Sequence, residues 1–136
     1  MKLSRIACLC SLACLALAAC GGSSFCDDQA AAMKSLTTTK LAACPNVNAS
    51  VSVENGQMPT GQACTDALKS CTGDEQTKLA NSVTCLNALG NCTADKDDVS
   101  SDYGTSLIAC SKTGVCATSV TCQKAFVMDQ ICTLLK

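Results

Sequence analysis

Residues 64–71 read Cys64-Thr65-Asp66-Ala67-Leu68-Lys69-Ser70-Cys71, and residues 85–92 read Cys85-Leu86-Asn87-Ala88-Leu89-Gly90-Asn91-Cys92. In each stretch the cysteines stand seven apart, which on an α-helix puts both on one face, two turns from each other. Two turns rise about 10.5 Å, more than the ~7 Å between Cα atoms that a disulfide spans. Neither pair can close on itself, so every one of these cysteines must bond to another segment. The same arithmetic separates Cys26 from Cys44 by about 27 Å and Cys122 from Cys132 by about 15 Å on a helix. The chain is therefore expected to be all-α, a small disulfide-linked helical bundle of about four to five helices. Continued to Asp74 and Asp95, the two stretches agree at six of eleven positions, 21 residues apart. A duplicated helical unit and two helices converging on one face pattern both fit, and two copies do not establish a repeat architecture.

Composition points the same way. The chain has 136 residues, 14 cysteines, no His, no Trp, and three aromatics, Phe25, Tyr103 and Phe126. That many cysteines in so short a chain mark a disulfide scaffold in an oxidising compartment. Residues 25–136 hold only 21 Leu, Ile, Val and Phe in 112 positions, too few for a core that stabilises the fold by itself. Ten cysteines fall in that part: Cys26, Cys44, Cys64, Cys71, Cys85, Cys92, Cys110, Cys116, Cys122 and Cys132. An even number after export points to five bridges, at about 2–4 kcal/mol each. Roughly 900 pairings exist. Cys64 with Cys85 is the expected one, at comparable distances from the Gly73 turn of an antiparallel helix pair. Cys110 with Cys116 is the one nearby pair that loop geometry allows.

Apolar residues recur at three and four rather than two along most of the chain. The first helix is expected from Phe25 to Ala43, capped by Ser23 or Ser24, with an inner stripe of Cys26, Ala30, Met33, Thr37, Leu41 and Cys44. Pro45 ends it. Pro45, Asn55-Gly56 and Pro59 suggest a long surface loop over 45–59. A second helix follows from Thr60 to Cys71, closed by Gly73. Thr72-Gly73-Asp74-Glu75 fits a capping box for a third helix over 75–91 with Leu79, Val83, Leu86 and Leu89 inside. After a solvated acidic loop at 93–100, a fourth helix over 101–111 carries Leu107, Ile108 and Cys110. The last begins near Ser119 and runs through Cys122, Phe126, Ile131 and Cys132.

The first twenty residues carry the address. Lys2 and Arg5 precede an uncharged run from Ile6 to Ala19, shorter than the ~20 residues of a membrane-spanning helix, as in a cleaved export signal. Leu17-Ala18-Ala19-Cys20-Gly21 resembles the lipobox of bacterial lipoproteins, and the chain as a whole is similar to small cysteine-rich helical lipoproteins of unknown role. The resemblance implies a signal peptide over 1–19, carrying away Cys8, Cys10 and Cys14, and acylation of Cys20. It also implies attachment to an envelope membrane through those acyl chains, and Gly21 after the acylated cysteine favours the outer one. Residues 20–24 then form a lipid-anchored Gly/Ser tether and 25–136 the cysteine-rich domain. Ala16-Leu17-Ala18 is alternatively an A-x-A site for ordinary cleavage, which would release a soluble protein.

What remains excludes several chemistries. Without His there is no Ser/His or Cys/His nucleophile. From Cys20 onward eight lysines face eleven carboxylates, a net charge of −3 with no arginine, so nucleic acid is not an expected partner. No C-x-x-C remains in that part, which argues against thiolate metal sites and thioredoxin-like redox centres. Asp95-Lys96-Asp97-Asp98 with Asp102 lacks the Gly and Glu of an EF-hand at Ser100 and Ser106. No catalytic residue, cofactor or metal is expected. The leading expectation is a non-catalytic lipid-anchored envelope protein with a structural or protein-interaction role and an envelope protein as partner. A small-ligand carrier is the first alternative, with scarce aromatics against it. A soluble secreted effector or inhibitor is the other, should Cys20 carry no lipid.

Overall fold

The computed structural model describes residues 22–55 and 58–135. The signal segment, Cys20 and the Gly56 turn lie outside them. The described residues form seven α-helices: α1 (Gly22–Ser35), α2 (Pro45–Asn55), α3 (Gly61–Leu68), α4 (Gly73–Ala88), α5 (Asp102–Thr113), α6 (Val120–Ala125) and α7 (Asp129–Leu134). A π turn (Leu36–Lys40) follows α1, and 3-10 turns occupy Ala94–Lys96 and Val115–Ala117. Among the described residues there is no strand. The all-α disulfide-linked expectation holds, and the helix number rises from four or five to seven for two reasons.

First, residues 45–55 form a helix, not a loop. Proline suits the first helical position because its missing N–H would be unpaired there anyway, so Pro45 both follows the end of one helix and opens the next. The next two donors find their acceptor fifty residues away: the backbone N–H groups of Asn46 and Val47 donate to the Asp97 carboxylate at 2.9 and 3.0 Å, and Asn46 Nδ2 donates to it at 3.0 Å. The acidic loop is thus a cap rather than a merely solvated stretch. Within it, the Asp98 carboxyl is held below the usual range by the Ser100 hydroxyl and then the Ser100 N–H.

Second, the last helix breaks at Val127, whose φ is 58°. Met128 N–H donates to Gln123 O at 2.9 Å and Val127 N–H to Lys124 O at 3.0 Å, the paired bonds of a helix end whose next residue is left-handed. A β-branched side chain is disfavoured there; the turn is tolerated because it drives Phe126 and Met128 into the interior on either side.

The π turn corrects the expected stripe of the first helix. Cys26, Gln29, Ala32 and Leu36 are buried, whereas Ala30 is exposed and Met33 and Thr37 are half-buried. Leu41 N–H donates to Leu36 O at 2.9 Å, and this five-residue step keeps Leu36, Leu41 and then Cys44 inside. Thr37 and Thr38 hydroxyls bond to Met33 O and Lys34 O at 3.1 and 2.8 Å, the competition that makes such runs poor in a regular helix. Helix α1 also opens at Gly22, inside the segment expected to be a tether.

Five disulfides join Cys26 to Cys64, Cys44 to Cys92, Cys71 to Cys122, Cys85 to Cys110 and Cys116 to Cys132. Each links two different segments, as the helical spacing required. The expected Cys64–Cys85 bridge is not formed, and neither is Cys110–Cys116. Helix α3 lies against α1 and α6, and α4 against α1 and α5, so α3 and α4 are not the packed antiparallel pair that bridge needed. Gly73 opens α4 rather than closing α3, and Cys71 and Cys92 both stand just past the ends of their helices. Two apolar clusters result. One gathers Leu68, Leu79, Val115, Phe126 and Met128 around three bridges; the other holds Leu36, Leu41, Val47 and Tyr103 around Cys44–Cys92.

The Thr72–Glu75 capping box is present, and its carboxylate does more than close one helix. Glu75 accepts from Thr72 N–H at 2.7 Å and, through its other oxygen, from the N–H of Ser119, the cap of α6, at 2.7 Å. Its carboxyl is lowered to about 2 from 4.5, by the Ser119 hydroxyl first and then by the Thr72 and Ser119 backbone groups. Because the folded value lies below the unfolded one, this stabilisation is complete above about 4.5 and disappears as pH falls towards about 2. Glu75→Gln should flatten the fall of unfolding midpoint with pH across that window, as acid titration of thermal unfolding would show. Removing the remote cap with Asp97→Ala should cost about 1–2 kcal/mol in urea unfolding of the oxidised protein, whereas Asp28→Ala on the exposed face of α1 should stay within about 0.5 kcal/mol of the parent.

Candidate functional site

The inner stripes of three helices face one another without closing the space between them. Helix α4 contributes Leu79, Ser82, Val83 and Leu86, and α5 contributes Gly104, Leu107, Ile108 and Ser111, both at steps of three, four and seven. Helix α1 and its π turn add Phe25, Gln29, Met33 and Leu36. Phe126 and Met128 from the α6–α7 turn and Ile131 from α7 close one side, and Val47 and Val51 of α2 another. The cavity they leave is partly open to solvent and has a volume of about 190 Å³, of the same order as the ~150 Å³ apolar cavity that admits benzene.

Small side chains are the reason the volume stays open. At Ser82 and Ser111 the two long helices carry side chains that stop short of the centre. Gly104 is required by its surroundings, because a Cβ there would run into the backbone of Val99. Ser82 Oγ donates to Cys110 O at 3.0 Å, satisfying a carbonyl near the end of α5. Phe25 and Phe126 meet edge to face, with centroids 6.2 Å apart and planes at 87°. Two of the three aromatics in the chain thus sit at this site, against the expectation that a pocket would be starved of them.

The lining is free of charge among the described residues: its polar members are Gln29, Ser50, Ser82 and Ser111. Gln29 is 7% exposed. Its Nε2 lies 3.6 Å from the Met58 sulfur and its Oε1 3.6 Å from Sγ of Cys64, and a disulfide sulfur has no proton to give. Whichever way the amide is turned, its polar neighbours among the described residues are sulfur atoms.

Of the residues singled out from sequence, the ten cysteines of the domain are all bridged. Eight of them are buried, with Cys85 and Cys116 half-buried. They frame the cavity rather than line it. Leu79, Val83, Leu86, Leu107, Ile108, Phe126 and Ile131, read as core positions, turn out to be its walls. Gln29, Ser82, Gly104 and Ser111 were missed; the readable signal was small or polar residues at the inward steps of otherwise apolar stripes. Among the described residues no group of three or more His, Cys, Asp or Glu is placed to hold a metal ion. None of their helices is long and apolar enough to cross a membrane. Compared with protein-family models, curated proteins and solved structures, the chain matches none.

Filling the space should stabilise the fold. Ser111 is half-buried on the α5 wall, and Ser111→Leu adds apolar contact and helix propensity together. An increase of about 1 kcal/mol in urea unfolding is expected, and a loss of stability would show that the cavity cannot take those atoms.

Proposed function

We propose that this is a lipid-anchored, non-catalytic binding protein of the bacterial envelope that holds a small apolar molecule inside its disulfide-fastened helical domain. The cavity carries the reading. Its walls come from five helices, two aromatic rings stand on one side, and its described lining holds no charged or imidazole side chain that would activate a serine hydroxyl as a nucleophile. Those properties suit capture by apolar contact rather than turnover.

Anchoring rests on the lipobox-like Leu17-Ala18-Ala19-Cys20 and on the oxidised state of the domain, which belongs to an exported protein. Phe25 follows Cys20 by five positions, so the chain between them can span at most about 18 Å. Gly21 after the acylated cysteine favours the outer membrane. A ligand that partitions into lipid would be at hand there.

An interaction role with another envelope protein is the second reading. The observation favouring it is the exposed apolar set Val120, Val127 and Leu134 on the two short final helices and the turn between them, the last at 86% exposure.

Cells expressing the full chain and fed radiolabelled palmitate should yield a labelled protein in the membrane fraction, and Cys20→Ala should lose both label and sedimentation. Solvent extraction of the membrane-purified protein should release one class of small apolar molecule in near-stoichiometric amount. Retained label in the Cys20→Ala variant would refute the anchor, and an empty extract would refute the carrier.

A further inference from the structure

Four polar side chains reach the cavity wall, and three have an obvious place for their hydrogen-bonding capacity. Ser50 Oγ donates to Asn46 O at 3.2 Å, and Ser82 Oγ to Cys110 O at 3.0 Å. Ser111 is half-buried and reaches water. Gln29 differs: it is almost wholly enclosed, and among the described residues its amide has just the sulfurs of Met58 and Cys64 as polar neighbours. An amide carries two donors and a carbonyl acceptor, and a buried acceptor without a proton donor is costly and rare enough to require an explanation. Here the amide borders an open apolar space.

We propose that Gln29 is the headgroup site of this cavity and that its ligand is a neutral, medium-chain aliphatic molecule ending in a hydroxyl. This rests on the carrier reading above and names its ligand class. The argument is one of elimination by chemistry. A hydroxyl donates to Oε1 and accepts from Nε2, so it meets both faces of the amide; a hydrocarbon meets neither. A carboxylate would be desolvated opposite a described lining that holds no cation, and an ammonium opposite one that holds no acid, and both ions pay heavily for that. The volume of about 190 Å³ suits a molecule of roughly eight heavy atoms on the scale of known apolar cavities. Beyond Gln29, the walls formed by Leu36, Leu86, Leu107 and Ile108 offer hydrocarbon alone, which fixes which end of the ligand lies where.

The test uses the full chain expressed with its own leader and held in phospholipid nanodiscs, with a diazirine-bearing medium-chain alcohol as photoprobe. Irradiation should label peptides containing Leu107 and Ile108. Excess 1-octanol should suppress that labelling, and octanoate at neutral pH should need at least a tenfold higher concentration. Gln29→Leu should weaken competition by 1-octanol roughly tenfold or more, because both hydrogen bonds to the amide are lost, and leave competition by octane unchanged. Ser111→Leu, a cavity-filling change expected to keep the fold, should abolish labelling, with full resistance to alkylation showing that all five bridges stand. If octanoate competes as well as 1-octanol, or Gln29→Leu leaves the alcohol unaffected, the headgroup assignment is wrong while the apolar site survives. If the probe never marks those peptides and octane never competes, the carrier reading falls with it.

Discussion

Covalent cross-linking between segments is the constraint on which the rest of this structure depends. The helices run from 6 to 16 residues, and isolated helices below about 12–15 residues are marginal in water. The five bridges close separations of 16 to 51 residues, each worth about 3–4 kcal/mol by chain entropy when taken alone. Interlocked loops do not add independently, yet even a fraction of that sum equals the net stability of an ordinary small domain. Cysteine also serves as core material: eight of the ten sulfurs are buried, five of them in the cluster around Phe126. Bridges thus replace both the entropy and part of the apolar volume that Leu and Ile would otherwise supply.

Short helices raise a second problem, since most of their backbone groups lie near an end and lack an internal partner. Here distant side chains solve it. Lys40 Nζ donates to the carbonyls of Leu86, Asn87 and Leu89 at 2.9, 2.6 and 2.5 Å, closing the C-terminus of α4. Gln76 Nε2 does the same for Leu68 and Cys71 at 3.1 and 3.2 Å, and Lys78 Nζ bonds Ala117 O at 2.8 Å. Asp97 and Glu75 serve helix starts. These bonds cross between segments that the bridges already hold near one another, so they cost little further ordering.

The division between what was legible in the sequence and what was not follows from that arrangement. Helix α4 was readable because its start signal, Thr72 with Glu75, and its stripe, Leu79 to Leu86, are local. Helix α2 was not, because its cap is Asp97, and nothing near Pro45-Asn46-Val47 announces it. The break at Val127 was hidden for the opposite reason: a β-branched residue is a poor local choice for a left-handed turn and is held there by the burial of Phe126 and Met128. The rule that no cysteine pair closes within its own helix came from geometry and survives. The pairing itself did not follow, because it depends on α1 packing against both α3 and α4, which no spacing reveals. The cavity was invisible for a related reason, since apolar stripes predict that faces meet and not how closely.

An open interior in so small a protein needs a physical account, and the bridges supply it. Atoms lining a cavity of about 190 Å³ lack the packing partners a filled core would give them, and that loss of contact costs stability. Packing could not offset that here, where large aliphatic residues are few. Cross-links can, because they act on the unfolded chain and do not require the walls to touch. They also keep the walls in place before anything binds, so a ligand need not spend its contact energy on ordering the site. A cysteine-rich composition poor in large aliphatic residues is therefore well matched to a cross-linked, uncharged, apolar-walled cavity, and the same composition that makes a conventional core hard to build makes a preformed binding cavity feasible.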